Sequence, residues 1–287
     1  MDFLSKAVQK SLQPKESITR ILKRNLEGFQ EPRPIIKLHA SDLTKPDFCP
    51  RAHAIINALN VKRPKEWIGA ALKVTFDMGN ETADKICEEW GGDKVIGDWE
   101  CIKCNDVRHF TTKPTNYNCK CGIGACVFKY KEVNFVSQES GVSGNVDVFF
   151  NLGAAKYQTV ELKTIAPDQF ADLKMPLAEH SLRTNLYLHT IETSKSAYKN
   201  MINLKEGRVF YVSRGHGKKH TEFNEVLPFK EFTIKRDDTA LEHILGMAKE
   251  LKTFREGGAF PSRQCANIDC KMAEKCLVKQ DCFSNDY

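Results

Sequence analysis

The sequence has no long apolar run, no internal repeat and no low-complexity linker. Without a stretch of about 20 apolar residues we expect no transmembrane helix, and the first residues lack the apolar segment of a signal peptide. The excess of positive charge is also small, because the sequence has 43 Lys and Arg residues and 37 Asp and Glu residues. Such a balance permits nucleic-acid binding without requiring it. We therefore expect a globular cytoplasmic protein with no membrane partner.

Cysteine, in contrast, is abundant, with 11 residues in the chain. Disulfides are rare in a reducing compartment, so metal ligation is the better explanation of this number. The cysteines are also clustered along the chain, and only Cys49 and Cys87 stand alone. Among apolar neighbours on a predicted helix, Cys87 is interpreted as a small buried side chain. The two clusters predict two metal modules. They comprise Cys101, Cys104, Cys119, Cys121 and Cys126 in the middle of the chain, and Cys265, Cys270, Cys276 and Cys282 near its end.

The middle cluster begins with a C-x2-C pair, Cys101 and Cys104, and a second group of cysteines follows after 14 residues. A C-x2-C pair followed by a second pair with a trailing glycine is typical of a zinc ribbon. We predict that Zn²⁺ is bound by Cys101, Cys104, Cys121 and one of Cys119 or Cys126. Basic side chains in this segment leave two interpretations open, a contact with nucleic-acid phosphates and a purely structural insertion.

A second pattern lies in "GVSGNVDVFF" and "VELKT", which contain Asp147, Glu161 and Lys163. Residues alternate between the two faces of a strand, so Glu161 and Lys163 share a face. A hairpin between the two strands would bring Asp147 close to Glu161, and two carboxylates suit a hard divalent cation. A lysine beside that cation can orient or deprotonate water, or stabilise charge on a scissile phosphate. A surface ion pair between Glu161 and Lys163 is the simpler alternative.

The D-x13-E-x-K spacing resembles the signature of the PD-(D/E)XK nuclease superfamily, and more narrowly its RecB-like branch. "FDMGNETADKI" resembles the G-x-x-x-H motif of that branch, although Ala83 stands where the histidine is expected and Glu81 or Asp84 would have to replace it. "HSLRTNLYL" resembles the Q-x-x-x-Y motif, with Arg183 in place of the glutamine and Tyr187 retained. The resemblance implies that Asp147 and Glu161 bind Mg²⁺ or Mn²⁺ and that Lys163 assists catalysis. It also implies that Arg183 and Tyr187 line the DNA path.

The second cysteine cluster adds to this resemblance, because some RecB-like nucleases carry a [4Fe–4S] cluster held by one early and three late cysteines. Here "DFCPRA" supplies Cys49, and the tail "CANIDCKMAEKCLVKQDCF" supplies four further cysteines. The resemblance implies that Cys49 joins three of the tail residues, with Cys270, Cys276 and Cys282 favoured over Cys265. The competing assignments are a zinc ion held by the four tail cysteines alone, and free thiols without a metal.

The order of predicted elements also fits the resemblance. Residues 1–30 predict two short helices, 128–165 predict three strands joined by tight turns, and helices surround a further strand near 206–213. The expected fold class is α/β, a restriction-endonuclease-like mixed central sheet flanked by helices, with an inserted zinc-ribbon-like knuckle and a C-terminal cysteine module. The expected domains are an N-terminal helical segment (1–40), the nuclease core (41–98 and 129–260), the insertion (99–128) and the cysteine module (261–287).

The resemblance implies a metal-dependent deoxyribonuclease acting on single-stranded DNA or DNA ends, exonuclease-like, in recombination, repair or phage DNA processing. One alternative is a catalytically weakened nuclease-fold protein that serves as a DNA-binding accessory factor, suggested by Ala83 and Arg183. Another is a zinc-ribbon interaction module in which Asp147 and Lys163 have no role. The glycine-rich basic loop at 213–220 is interpreted as a surface loop or a contact with a nucleic-acid backbone.

Overall fold

The computed structural model describes residues 17–34, 37–114, 119–121, 126–215 and 227–284. Its helices are α1 (Ile18–Leu26), α2 (Ala40–Leu43), α3 (Pro50–Ala58), α4 (Ala70–Lys85), α5 (Pro167–Asp172), α6 (Ala178–Glu192), α7 (Glu242–Arg255), α8 (Lys271–Glu274) and α9 (Lys279–Ser284). Its strands are β1 (Gly28–Gln30), β2 (Leu38–His39), β3 (Glu66–Ile68), β4 (Val95–Cys101), β5 (Val107–Thr111), β6 (Phe128–Lys131), β7 (Val133–Val136), β8 (Val142–Val146), β9 (Val148–Phe150), β10 (Gln158–Ile165), β11 (Glu206–Ser213) and β12 (Phe229–Lys235). None of the helices in these ranges is both long and apolar enough to cross a bilayer.

The chain divides into two compact units, and the smaller comprises residues 1–33 and 63–80. Within it, the Ser17 side chain accepts a hydrogen bond from the Arg20 N–H and caps α1. Strands β1 and β3 pair antiparallel, with the rings of Phe29 and Trp67 in edge-to-face contact. One of the two helices predicted near the N-terminus is therefore present as α1, whereas the other lies outside the described residues.

The larger unit, residues 34–62 and 81–287, contains a seven-stranded mixed sheet. The strands run in the order β12-β11-β10-β9-β4-β5, and β6 also pairs with β4. Strand β10 lies at the centre, antiparallel to β9 and parallel to β11. A parallel neighbour requires a crossover connection, and α5 and α6 lie within this one. The predicted fold class, a mixed α/β sheet flanked by helices, is confirmed.

The sequence of β10 explains why this strand is central. Val160 and Leu162 face one side and pack in a cluster with Ile86, Val148 and Val212. Glu161 and Lys163 face the other side, where α6 packs on β8, β10 and β11. Both faces are covered, as is usual for a strand with a parallel neighbour.

The strand prediction for 128–165 was wrong in number, because the segment forms five strands and not three. A three-stranded sheet, β2-β8-β7, takes up part of it. Gly144 lies inside β8, where a Cβ atom would meet the Tyr187 ring at 2.9 Å. Glycine therefore stands here because the helix above approaches the strand closely. Of the basic loop at 213–220, positions 216–220 lie outside the described residues.

Helix α3 links the beginning of this unit to its end. Cys49 caps the helix, with its Sγ accepting a hydrogen bond from the Ala52 N–H at 3.4 Å, and Pro50 occupies the first turn. Ile55 is fully buried with Val278 and Cys282 from the tail. The Arg51 guanidinium also donates to the Pro261 carbonyl at 3.0 Å. These contacts hold the early cysteine beside the late ones.

Candidate functional site

Asp147 and Glu161 meet at the junction of β8, β9 and β10. Val148 of β9 is paired with Val160 of β10, so the same antiparallel register places Asp147 opposite Glu161. Asp147 lies at a bend between β8 and β9 and not within a strand, and its Oδ2 accepts a hydrogen bond from the Leu162 N–H at 2.7 Å. That bond fixes the carboxylate against the edge of β10.

Lys163 lies between the two acids. Its Nζ is 2.6 Å from Glu161 Oε1 and 3.5 Å from Asp147 Oδ2, and it also donates to the Leu162 carbonyl at 2.8 Å. The structure therefore brings together the three residues of the D-x13-E-x-K pattern. Glu161 is 0% exposed and Lys163 is largely buried, which rules out the simpler interpretation of a solvated surface pair.

The buried setting shifts the pKa values of these groups. Burial first, and then the charge of Glu161, raise the pKa of Asp147 to about 6, although Lys163 and the Leu162 N–H act in the opposite direction. Burial alone would lower the pKa of Lys163, but the charges of Asp147 and Glu161 outweigh it and raise that pKa. The lysine is therefore held as an ammonium by the two carboxylates that it contacts.

Helix α6 supplies the other side of the site. Arg183 Nη1 lies 3.1 Å from Glu161 Oε1, the same oxygen that Lys163 contacts. Tyr187, one turn later, is 5% exposed and packs over Gly144. Burial, followed by the charges of Glu161 and Asp147, raises the pKa of its hydroxyl. Both residues that were predicted on this helix therefore lie beside the acids.

Glu81, the sixth residue predicted for this site, lies on α4 and is exposed. Among the described residues, the only group of three or more Cys, His, Asp or Glu ligand atoms that all lie within 4.8 Å of one another consists of cysteines, so Glu81 does not join Asp147 and Glu161 in such a group. Its assignment in place of the histidine expected at Ala83 stays a prediction.

Two further residues of the site, His180 and Tyr211, were missed from the sequence. Tyr211 is paired with Lys163 across β10 and β11, and its hydroxyl accepts a hydrogen bond from the Leu177 N–H at 3.0 Å. His180 Nδ1 lies 2.7 Å from the same hydroxyl. Burial, followed by the charge of Lys163, lowers the pKa of His180 to about 4, so the imidazole is neutral. Its Nε2 lies 3.2 Å from Glu179 Oε1, which places the ring proton on Nε2 and leaves Nδ1 to accept from the Tyr211 hydroxyl. Helical spacing from Arg183 and Tyr187 was a signal that could have found His180.

The acidic pair has the donor chemistry that a hard divalent cation prefers. Glu161 Oε2 is buried and has no hydrogen-bond partner among the described residues. An unpartnered buried carboxylate oxygen is costly, and a bound cation would satisfy it. Asp147 and Glu161 therefore fit the ion that the sequence resemblance implies.

The four-cysteine group consists of Cys101, Cys104, Cys119 and Cys121, whose Sγ atoms all lie within 4.8 Å of one another. A single tetrahedral zinc ion with Zn–S bonds of about 2.3 Å places its sulfurs roughly 3.8 Å apart, so the group fits one ion. The backbone N–H of Lys103 is the main cause that lowers the pKa of Cys101 to about 6, with a smaller contribution from the Cys104 N–H. Both donors favour the thiolate that a metal requires.

The sequence left open whether Cys119 or Cys126 is the fourth member of this group, and in the structure the Sγ of Cys119 lies with the other three. Cys126 lies beside it, buried, and burial followed by the neighbouring thiol of Cys119 raises the pKa of Cys126 to about 11. The group is built onto the main sheet, because Cys101 ends β4 and the strands β5 and β6 both pair with β4. A four-cysteine group that can bind a metal ion is thus part of the larger unit.

Cys49 and the four tail cysteines gather around the N-terminus of α3, whereas Cys87 is buried in the cluster behind β10. Besides burial, the charges of Cys276 and Cys282 raise the pKa of Cys49. Burial and a contact with Cys270 raise the pKa of Cys265 to about 12, and Cys49 contributes to the same shift. In this part of the described chain no three sulfurs approach within 4.8 Å of one another, so the arrangement is wider than one zinc ion requires.

An apolar pocket of about 280 Å³ lies apart from these groups, and Val160, Phe210, Phe229 and Trp90 are among its lining residues. Val160 is on the face of β10 opposite to Glu161 and Lys163. None of the residues predicted for the acidic site or for the cysteine groups lines this pocket.

No protein-family model matches the chain, and no curated protein matches it. Among solved structures, the crystal structure of SSO0001 is 12% identical over 98% of this chain and 94% of that chain, with a TM-score of 0.37. The crystal structure of LHK-Exo in complex with dAMP is 10% identical over 77% of this chain and 88% of that chain, with a TM-score of 0.39. At these values neither similarity assigns a function.

Proposed function

We propose that the chain is a metal-dependent deoxyribonuclease that hydrolyses phosphodiester bonds, exonuclease-like on single-stranded DNA or DNA ends. The observation that carries the proposal is the convergence of Asp147 and Glu161 on the Lys163 ammonium, on a face of β10 closed by α6. The sequence resemblance to the RecB-like branch of the PD-(D/E)XK nucleases supports the same assignment. It also supports a role in recombination, repair or phage DNA processing.

In this proposal Asp147 and Glu161 hold a Mg²⁺ or Mn²⁺ ion. When bound, such an ion supplies Lewis-acid stabilisation of the charge that develops on the phosphate. The Lys163 ammonium contacts both carboxylates. Its N–H groups can instead donate hydrogen bonds to a phosphate oxygen, or orient the attacking water. Tyr187 positions α6 against β8 through its contact with Gly144. The hydrogen bond between the Tyr211 hydroxyl and His180 Nδ1 fixes the orientation of both side chains on the strand and helix next to Lys163.

The cysteine groups complete the proposal. We assign one Zn²⁺ to Cys101, Cys104, Cys119 and Cys121, supported by the close approach of their Sγ atoms. We assign a [4Fe–4S] cluster to Cys49 and three of the four tail cysteines, supported by the sequence resemblance and by their wider grouping around α3. Protein purified without oxygen would then be brown and absorb near ~400 nm, whereas colourless protein containing only zinc would contradict the cluster.

The nuclease proposal is tested on end-labelled single-stranded and duplex DNA with added Mn²⁺. We expect the wild type to degrade DNA and Lys163→Ala to lose on the order of 100-fold in rate, because one charge-stabilising group is removed. Lys195→Ala removes an exposed lysine of the same unit and serves as the matched control. Equal rates for wild type and Lys163→Ala would trace the activity to a contaminant and overturn the proposal.

A second candidate function is a DNA-binding accessory factor with weakened catalysis. The observation that favours it is the ion pair between Arg183 and Glu161, which places a second cation on a proposed metal ligand. The same assay, together with a measurement of DNA binding, separates the two candidates. DNA binding by the wild type without cleavage would favour the accessory factor.

A further inference from the structure

The charges of the acidic site are balanced without any added ion. Glu161 Oε1 is contacted by two cations, Lys163 Nζ at 2.6 Å and Arg183 Nη1 at 3.1 Å. Asp147 is contacted by Lys163 and by the Leu162 N–H. Two carboxylates thus face one ammonium and one guanidinium, so the four side chains sum to zero charge.

This balance disfavours the binding of a divalent cation. Glu161 is 0% exposed, and charges that are removed from water interact more strongly than charges in it. An incoming ion would meet the attraction of two carboxylates and the repulsion of two neighbouring cations. Lys163 follows Glu161 on the same strand, whereas Arg183 reaches the site from α6. Lys163 is also held by Asp147 and by the Leu162 carbonyl, whereas the polar partner of Arg183 among the described residues is Glu161 alone. Arg183 is therefore the cation that can leave Glu161 with the fewest contacts broken.

Arg183 is also placed to bind a different anion. Its side chain keeps 19% of its surface exposed, so part of the guanidinium is accessible from solvent. Its Nε is buried and has no hydrogen-bond partner in the described part of the chain. A planar guanidinium fork matches the two free oxygens of a phosphodiester. A phosphate at the mouth of the site would compete with Glu161 for this side chain.

We propose that Arg183 is an exchangeable internal counter-ion of Glu161, which moves to a DNA phosphate when the strand binds and releases Glu161 to the metal. The inference rests on the proposed function to the extent that the site takes DNA and a divalent cation. Its consequence is that DNA and the cation bind cooperatively. Because such coupling is reciprocal, each ligand raises the affinity for the other by the same factor.

The test measures Mn²⁺ affinity from the electron paramagnetic resonance signal of free Mn²⁺, with and without a phosphorothioate oligothymidylate that resists cleavage. In the wild type we expect the oligonucleotide to tighten Mn²⁺ binding about tenfold. In Arg183→Gln we expect Mn²⁺ alone to bind about tenfold more tightly than in the wild type, and the effect of DNA to fall below twofold. Arg183→Lys retains the charge and should keep most of the coupling.

Two controls define the measurement. Asp147→Asn identifies which bound Mn²⁺ belongs to the acidic site and which to the cysteines. Arg236→Gln removes an arginine that pairs with Asp238 and with Glu192, the last residue of α6. This variant should bind Mn²⁺ as the wild type does. Circular dichroism and thermal unfolding establish that each variant is folded.

Mn²⁺ affinity that is unchanged or weaker in folded Arg183→Gln would overturn the inference. So would the absence of any effect of the oligonucleotide on Mn²⁺ binding by the wild type, a measurement that needs no variant. Coupled binding without DNA cleavage would refute the nuclease proposal and leave the inference standing. Cleavage by a protein without coupling would do the reverse.

Discussion

The four-cysteine group and the acidic site are both candidate metal sites of one unit, yet different forces hold their ligands in place. Three of the four cysteines, Cys104, Cys119 and Cys121, lie in turns outside the strands. Glu161, in contrast, is on a central strand, and Asp147 is fixed by the Leu162 N–H. We infer that a metal organises the cysteines, whereas packing organises the carboxylates before any metal binds. Removal of metal should therefore affect the fold at the first site and only the chemistry at the second.

The largest effect is expected from Cys101→Ser. Cys101 is 0% exposed and ends β4, so loss of the proposed zinc ion should destabilise the strands β4, β5 and β6 together. Structural zinc contributes strongly to folding, and we expect the free energy of unfolding to fall on the order of 5 kcal/mol. Metal content by mass spectrometry and chemical denaturation measure the two effects. Wild-type protein without bound metal, and equal stability of the variant, would show that packing holds this site as well.

The next effect is expected from Asp147→Asn, on activity and not on folding. One metal ligand is lost, so Mn²⁺-dependent cleavage should fall on the order of 100- to 1000-fold, equivalent to about 3–4 kcal/mol. Asp93→Asn, which changes an exposed carboxylate of the same unit, is the matched control and should keep full activity. If Asp147→Asn also unfolds the protein, the distinction between the two sites fails.

The raised pKa of Asp147 also predicts that the stability of the protein depends on pH. The folded pKa of Asp147, about 6, lies above its ordinary value of 3.8. Its stabilising contribution is therefore fully present below about pH 3.8 and is lost as the pH rises through 6. Relative to Asp147→Asn, the wild type should lose on the order of 2 kcal/mol of unfolding free energy between pH 4 and pH 7 without added divalent cations. Parallel profiles of the two proteins in urea denaturation would contradict the buried setting of this carboxyl.

A smaller effect is expected from Gly144→Ala, which tests whether packing sets the acidic site. The added Cβ would lie 2.9 Å from the Tyr187 ring, so α6 must shift, and such overpacking costs about 1–3 kcal/mol. Cleavage should fall with it, because α6 also carries Arg183. Gly246→Ala in α7, where nothing lies within 4 Å of the new atom, should be neutral or slightly stabilising. Thermal unfolding of both variants and their cleavage rates decide the point.

The smallest effect is expected from Cys126→Ala. Cys126 lies beside the four-cysteine group but is not one of the four whose sulfurs converge. Metal content should be unchanged, and the free energy of unfolding should fall by about 1 kcal/mol or less. Loss of the ion in this variant, with retention in Cys119→Ala, would make Cys126 the ligand and Cys119 the neighbour.

The two sites also differ in how far the sequence predicts them. Asp147 and Glu161 meet because β9 and β10 are neighbours in sequence and pair antiparallel. The sequence already predicts such a hairpin, since both segments have the apolar pattern of strands. Tyr211 reaches Lys163 only because β10 and β11 pair in parallel, and such a pairing depends on a crossover helix whose placement has no local sequence signal. Similarly, the spacing of Cys119, Cys121 and Cys126 permits more than one ligand set. The placement of the Sγ atoms in the fold selects among them.

The grouping of Ile55 with Val278 and Cys282 has a consequence for the synthesis of the protein. Helix α3 emerges from the ribosome long before the tail residues against which it packs. At roughly 5–20 residues per second, translation of the intervening chain takes about 10–45 seconds. During that interval the apolar face of α3 and the Cys49 thiol are without these partners, so the packing of α3 can be completed only after residues 278–282 have been synthesised.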